Sequence, residues 1–169
     1  MAITTRLAHV RRAQHVFNLG SFYFAIGKSS EWMDDSNPPV EAEDTTELFE
    51  VIGFRKADRV SFVVPDDENG TIEYLGSKYR EVSASDAEQE GAKWIWFSTT
   101  VSYEELPTGW YRQIGLYQGL TRQSTVDTGK YNLLPSEVQD NGDLLAFANR
   151  QPCNRLADQK ETFNIIIEF

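Results

Sequence analysis

The chain has 169 residues and is poor in the residue types that carry most protein chemistry. Its single cysteine, Cys153, excludes an intramolecular disulfide and cannot by itself make a Cys-based zinc site. Only two histidines occur, His9 and His15. On a helix that spacing turns them off one another's face, whereas helical zinc pairs are spaced by about four residues. Basic residues are in deficit, with 16 Lys and Arg against 26 Asp and Glu and a formal net charge of −10. That balance argues against a nucleic-acid partner, because phosphate neutralisation needs net or clustered positive charge. The longest apolar runs, Trp94 to Phe97 and Ile165 to Ile167, fall far below the roughly 20 residues of a membrane helix. The first residues lack the apolar run and small-residue cleavage site of a signal peptide, so synthesis in a cytoplasm is expected. There is no P-loop and no GxGxxG; Gly27, Gly53, Gly70 and Gly76 read as turns, bulges or helix stops.

What the chain does have is apolar and aromatic content, 40% and 12%, enough for a packed core. An N-terminal helix is predicted from Thr4 or Thr5 as cap, Leu7, Val10, Ala13 and Phe17 at three- and four-residue spacing, and Gly20 as stop. A strand over 21–26 opens into a long acidic loop with Pro38 and Pro39. A second short helix is expected over 45–54, capped by Asp44. A strand over 59–64 turns through Asp67-Glu68-Asn69-Gly70 into a hairpin partner over 71–75, which 78–82 extends. A single helical turn fits 85–91. The strongest strand runs over 93–103, with Trp94 and Trp96 on one face and Ile95, Phe97, Val101 and Tyr103 on the other. Trp110 to Tyr117 is the next strand, 118–139 an irregular loop, Asn141-Gly142 a hairpin signature, and Thr162 to Phe169 a closing strand. The expected fold is mainly β, an antiparallel β-sandwich with an N-terminal helix and a second short helix. Residues 1–20 form the helix, as docking arm or packed on the sandwich, and residues 21–169 one β-rich domain.

Chemistry is scarce. The pairs Asp34-Asp35, Asp66-Asp67-Glu68 and Glu104-Glu105 lack the EF-hand alternation, and adjacent carboxylates on a strand face opposite ways. Solvated turns account for them, and packing accounts for Cys153. No catalytic residue, cofactor or metal site is assigned, and a non-enzymatic role is expected. Two features point to protein partners. The first is the cationic helix carrying Arg6, Arg11 and Arg12 in an acidic protein, read either as a solvated face or as a docking helix for an acidic neighbour. The second is the set of turn-borne residues Trp32, Pro38, Pro39 and Trp110, with the two tryptophans expected exposed. A sugar-binding platform is the alternative use of these aromatics.

Four segments together carry a family pattern. Phe22-Tyr23-Phe24-Ala25-Ile26-Gly27-Lys28, followed by Glu31-Trp32 and Asp34-Asp35-Ser36-Asn37-Pro38-Pro39, is an aromatic strand running into a Trp/Asp/Asn-Pro-Pro loop. Trp110-Tyr111-Arg112-Gln113-Ile114-Gly115-Leu116 is the second. Leu144 to Pro152 with Arg155 and Asp158-Gln159-Lys160-Glu161 is the third, and Ile165 to Phe169 the fourth. In this order they resemble the baseplate wedge proteins of contractile-tailed, T-even-like bacteriophages. Gly115-Leu116 with Gly142-Asp143-Leu144-Leu145 also looks like the first domain of phage tail-collar fibre proteins. The resemblance implies a structural virion protein of the tail or baseplate. It implies several copies in a symmetric assembly, and other tail proteins as partners. A tail-fibre or collar attachment module, or a carbohydrate-binding receptor module, is the alternative. Arg112 is expected to bond a carboxylate within the fold or across an interface, and Asn149, Arg150 and Arg155 to form a polar knot before the last strand.

Overall fold

The structure, a computed structural model, describes residues 2–169 and is mainly β and antiparallel, with an N-terminal helix and one other short helix. The chain begins with α1 (Arg6–Leu19), β1 (Phe22–Gly27), β2 (Gly53–Lys56), β3 (Arg59–Pro65), β4 (Ile72–Tyr74) and β5 (Ser77–Val82). It continues through α2 (Ala87–Glu90), β6 (Trp94–Val101), β7 (Gly109–Gln118), β8 (Thr121–Arg122) and β9 (Asn132–Leu133). The last strands are β10 (Val138–Asp140), β11 (Asp143–Arg155) and β12 (Glu161–Glu168). One five-stranded sheet has the order β11-β7-β1-β2-β9, a second the order β12-β6-β3-β5-β4, and β8 pairs with β10 alone. Two compact units result: the N-terminal stretch through Gly20 with Asp58–Ser98 and Asn164–Phe169, and Ser21–Ala57 with Thr99–Phe163.

In the first unit, Thr5 caps α1 by accepting from the Ala8 amide at 3.3 Å, and Gly20 ends it at φ 65°. Val10 and Ala13 are buried, and the Phe17 ring lies 4.5 Å from that of Phe62 on β3. Leu7, expected on this stripe, is instead half exposed. The His9 ring nitrogen Nδ1 lies 2.8 Å from the Phe169 carbonyl oxygen, which ties the helix to the chain end. Leu75 and Gly76 both take positive φ, 48° and 82°, the conformation of a two-residue turn matched to strand twist. That turn makes β4 and β5 the hairpin, and β5 rather than β4 pairs with β3, which corrects the pairing expected across Asp67-Gly70. Strands β12 and β4 are the two ends of this sheet.

In the second unit every residue of β1 is buried, because β1 lies between β7 and β2 with side chains packed on both faces. Tyr23, Phe54, Tyr117 and Leu133 form the centre of its core. Phe163, at the start of β12, packs within this unit, with ring centroids 6.2 Å from Phe24 and 6.3 Å from Tyr111. The expected helix over 45–54 is absent. The amides of Leu48 and Phe49 donate to the Tyr117 hydroxyl and the Gln113 side chain, each at 2.8 Å, instead of to carbonyls four residues back, and Gly53 already begins β2. The short helix is α2, closed by Gly91 in the left-handed region at φ 68°. Residues 118–139, expected to be irregular, contain β8, β9 and a 3₁₀ turn at Pro135–Glu137, and Asn141-Gly142 leads into β11, which pairs with β7 rather than β10.

Strand β6 alternates as expected, with Ile95, Phe97, Thr99 and Val101 inward and the two tryptophans outward. It ends at Val101, and Tyr103 starts a 3₁₀ turn at φ 32° with half its surface exposed, so it leaves the inward face predicted for it. Arg155, fully buried at the end of β11, explains that turn. Its guanidinium donates to the carbonyls of Ser102, Tyr103 and Leu106, and lies 3.6 Å from Glu161. A buried cation thus satisfies a run of backbone oxygens that no strand reaches. Arg155→Ala is expected to lower stability by about 3 kcal/mol or more, because it strands those carbonyls and Glu161 and empties the space of a large side chain. Urea unfolding checks it; a loss below ~1 kcal/mol contradicts the assignment.

Candidate functional site

The segment between β1 and β2 contains no helix and no strand, yet it is fixed along its length. Its neck is closed by backbone bonds from Lys28 to the Phe49 carbonyl at 2.6 Å and from Ile52 to the Ile26 carbonyl at 2.8 Å. Lys28 and Glu50 stand at the two sides of the neck in the left-handed region, at φ 58° and 47°. For non-glycine residues that conformation costs on the order of 1–3 kcal/mol each, so surrounding contacts must hold it. Glycine makes the close approach possible. A Cβ on Gly27 would stand 2.6 Å from the Phe49 carbonyl oxygen, and one on Gly115 only 3.0 Å from Leu48 and Leu144. Both glycines lie in the motifs that carried the family resemblance.

The anchor is Arg112 on β7, 4% exposed. Its Nε and Nη2 each donate to one carboxylate oxygen of Asp35 at 2.7 Å, and Nη1 donates to the Ser29 carbonyl at 2.8 Å. Fork-on-carboxylate pairing fixes orientation as well as distance. Asp35 also accepts from the Trp32 amide at 2.8 Å, and the Arg112 hydrogen bond holds its carboxyl below the usual range. Glu50 is lowered as well, chiefly by the Ser30 amide at 2.9 Å. Gln113, fully buried beside Arg112, receives Phe49 and donates to Asn149 on β11 at 2.8 Å. From β11, Asn149 Nδ2 donates to the Pro39 carbonyl and the Asn149 amide to Glu41, both at 2.8 Å. Arg150 offers its carbonyl to Trp32 Nε1 at 3.1 Å, and Gln151 donates to the Ser36 carbonyl at 3.2 Å.

The Arg112, Trp32-to-Pro39 and Asn149-Arg150 motifs, far apart in sequence, therefore converge on one clamp. The structure brings together Trp32, Pro38 and Pro39 from the set chosen by sequence. Trp32 is half-buried, with the Lys28 ammonium 5.1 Å from its ring, and not an exposed residue as expected. Pro38 is half-buried and Pro39 exposed. Trp110 is exposed, at the start of β7 opposite Asn154. Arg6, Arg11 and Arg12 belong to the other unit and are exposed on α1. Arg11 there pairs with Glu88 at 2.7 Å and bonds Gln14. Sequence reasoning missed Met33, Val40 and Phe49, which stand on the clamped loop at 109%, 89% and 60% exposure. Apolar residues in a polar, proline-containing loop were the available signal.

Because Asp35 ionises more easily folded than unfolded, its contribution is present above the unfolded carboxylate value of about 3.9 and is lost as pH falls through the lower folded value. Acidification through that range is expected to release Trp32 before the core melts, seen as a tryptophan emission shift preceding loss of the β signal. Arg112→Lys removes the fork and is expected to raise protease cleavage within residues 28–50 by about tenfold at neutral pH. Cleavage at the unaltered rate would show that the pair does not hold the loop.

The Virion protein 3 of Enterococcus phage phiEF24C is 35% identical over 176 residues, which covers 99% of this chain and 96% of that protein. The family model described as "Baseplate wedge 3 tail fiber network component" matches residues 1–169. The chain therefore belongs to the baseplate wedge 3 tail fibre network component family, and is a structural protein of the phage virion, sited in its tail baseplate.

Proposed function

We propose that this subunit holds neighbouring baseplate components in register, with the clamped loop as its principal contact surface. The observation that carries the reading is the combination of rigid anchoring with apolar display. Arg112, Gln113 and Asn149 fix a loop from which Met33, Val40 and Phe49 project into solvent. A loop ordered before binding loses little further entropy on docking, so its apolar contacts convert more fully into affinity. Exposed apolar side chains carried on one ordered loop are also what an interface centre requires. Pro39, exposed on the same loop, belongs to this candidate surface, and Trp110 on β7 is a separate exposed candidate. The description of the family joins the wedge to a tail fibre network, which supports attachment of fibre components as part of this role.

The arginines of α1 are a second docking candidate, for an acidic neighbour that includes another copy of this net-negative chain. With Arg11 paired to Glu88, Arg12 is the better placed of the two to reach a partner. A glycan-receptor role has less support. The rings of Trp32, Trp94 and Trp96 are approached by Lys28, Lys93 and Arg59 of the same unit at 5.1, 4.7 and 5.2 Å, which competes with sugar stacking.

Met33→Asp with Val40→Asp leaves the clamp bonds untouched, so the isolated chain is expected to melt at its usual temperature. Its incorporation into particles is expected to fall by about tenfold, as at a desolvated contact centre. Quantitative mass spectrometry of purified virions against wild-type chain is the measurement, and full incorporation would overturn the loop as contact surface. Arg11→Glu with Arg12→Glu is expected to weaken assembly at physiological salt while the subunit still folds; unchanged assembly rejects the helix as a docking element.

A further inference from the structure

Among the sheet edges, β11 stands apart. The edge strands β9, β4 and β12 have two, three and eight residues. Strand β11 has thirteen residues and pairs only with β7 among the described residues, leaving its other side without a strand. Exposed edges of this length recruit other chains unless guarded. The clamped loop guards one half. Glu41 takes the Asn149 amide, Trp32 takes the Arg150 carbonyl, and Gln151 reaches Ser36.

The other half is not guarded in this way. Because the Asn149 amide points away from β7 and the register is continuous from Ala146 to Asn149, alternation turns the amide and carbonyl of Phe147 outward too. Beside them lies an open groove of about 330 Å³, walled by Leu144, Leu145, Ala146 and Phe147 on one side and by Glu41 and Glu43 on the other. Its lining holds two carboxylates and no basic residue. No lysine or proline stands between Asp143 and Ala148 to block pairing.

We infer that the Asp143–Ala148 edge of β11 is a strand-acceptor site, filled by an extended Lys-bearing segment of a different virion protein. Main-chain bonds to the outward groups of Phe147 supply affinity, and a cation of the added segment meets Glu43, since Glu41 is already bonded to the Asn149 amide. The inference rests on the scaffold reading above and specifies the chemistry of one of its partners. It accounts for a feature the loop contact does not explain, since the clamp stops halfway along the edge.

Carbodiimide cross-linking of intact virions joins carboxylates directly to lysine amines within contact distance. The expected product links Glu43 or Asp143 to a lysine of another tail protein; links only to a second copy of this chain, or none, overturn the proposal. Hydrogen exchange of the 143–148 peptide is expected to slow by tenfold or more in the particle relative to the isolated chain. Unchanged exchange excludes main-chain pairing. Glu43→Arg, an exposed change outside the core, is expected to reduce the cross-linked partner at Asp143 at least fivefold, and an undiminished yield removes charge as the selector. A chain present at fixed stoichiometry without edge protection defeats this inference alone, whereas its absence from particles defeats the scaffold reading itself.

Discussion

A guanidinium in the interior of a β-sheet unit is the constraint from which the second unit is built. Arg112 stands on β7, between β11 and β1, and is almost wholly inaccessible to solvent. Burying an unpaired cation costs several kcal/mol, so the fold is viable only if oxygens are brought to it. Asp35 and the Ser29 carbonyl supply them, and both come from the one long segment that has no ladder of its own. The demand runs both ways. A loop with two left-handed non-glycine residues at its neck needs fixed partners as much as the arginine does. Each satisfies the other, and the exposed apolar residues of the loop acquire defined positions as a result.

Gln113 extends the arrangement across the strand. Arg112 and Gln113 are adjacent and both buried, yet one serves the start of the loop and the other its end and the neighbouring strand. The pair also depends on bare backbone at Gly27 and Gly115, where a methyl group would push Leu48 and Phe49 away. A polar clamp and two glycines thus replace the hydrophobic stripe by which a helix or strand would ordinarily be held. The absence of the helix expected over 45–54 follows directly, since the amides that would have made it are already taken by Tyr117 and Gln113.

Elements whose own side chains decide their state were legible in the sequence. The α1 stripe, the β6 alternation and the Tyr111-to-Leu116 strand needed only local periodicity and burial. What failed depended on partners distant in the chain. Leu48 and Phe49 have helical spacing, but their fate is set by residues more than sixty positions away. The β3 partner was misread because Asp67-Gly70 and Leu75-Gly76 both carry turn chemistry, and only the second has the positive φ pair of a tight hairpin. Within the site, Trp32, Pro38, Pro39 and Arg112 were visible as motif residues. That Asp35, among 26 acidic residues, is the partner of Arg112 is a tertiary fact with no local signature.

The net charge of −10 takes on a more specific meaning in this light. Several of the carboxylates are committed: Asp35 to Arg112, Glu50 to Ser29 and Ser30, Glu41 to the β11 edge, and Glu137 to Lys130. These act as local fasteners, and the two paired with a cation, Asp35 and Glu137, contribute little to a long-range field. Glu43, whose bonds are not among the fasteners, lines the groove beside the open half of β11, and α1 presents cations elsewhere on the chain. Charges that fasten the fold cannot also select partners without weakening it. Among the exposed charges outside these fasteners are Glu43 at the groove and Arg12 on α1, so a substitution there leaves the bonds that hold the fold intact.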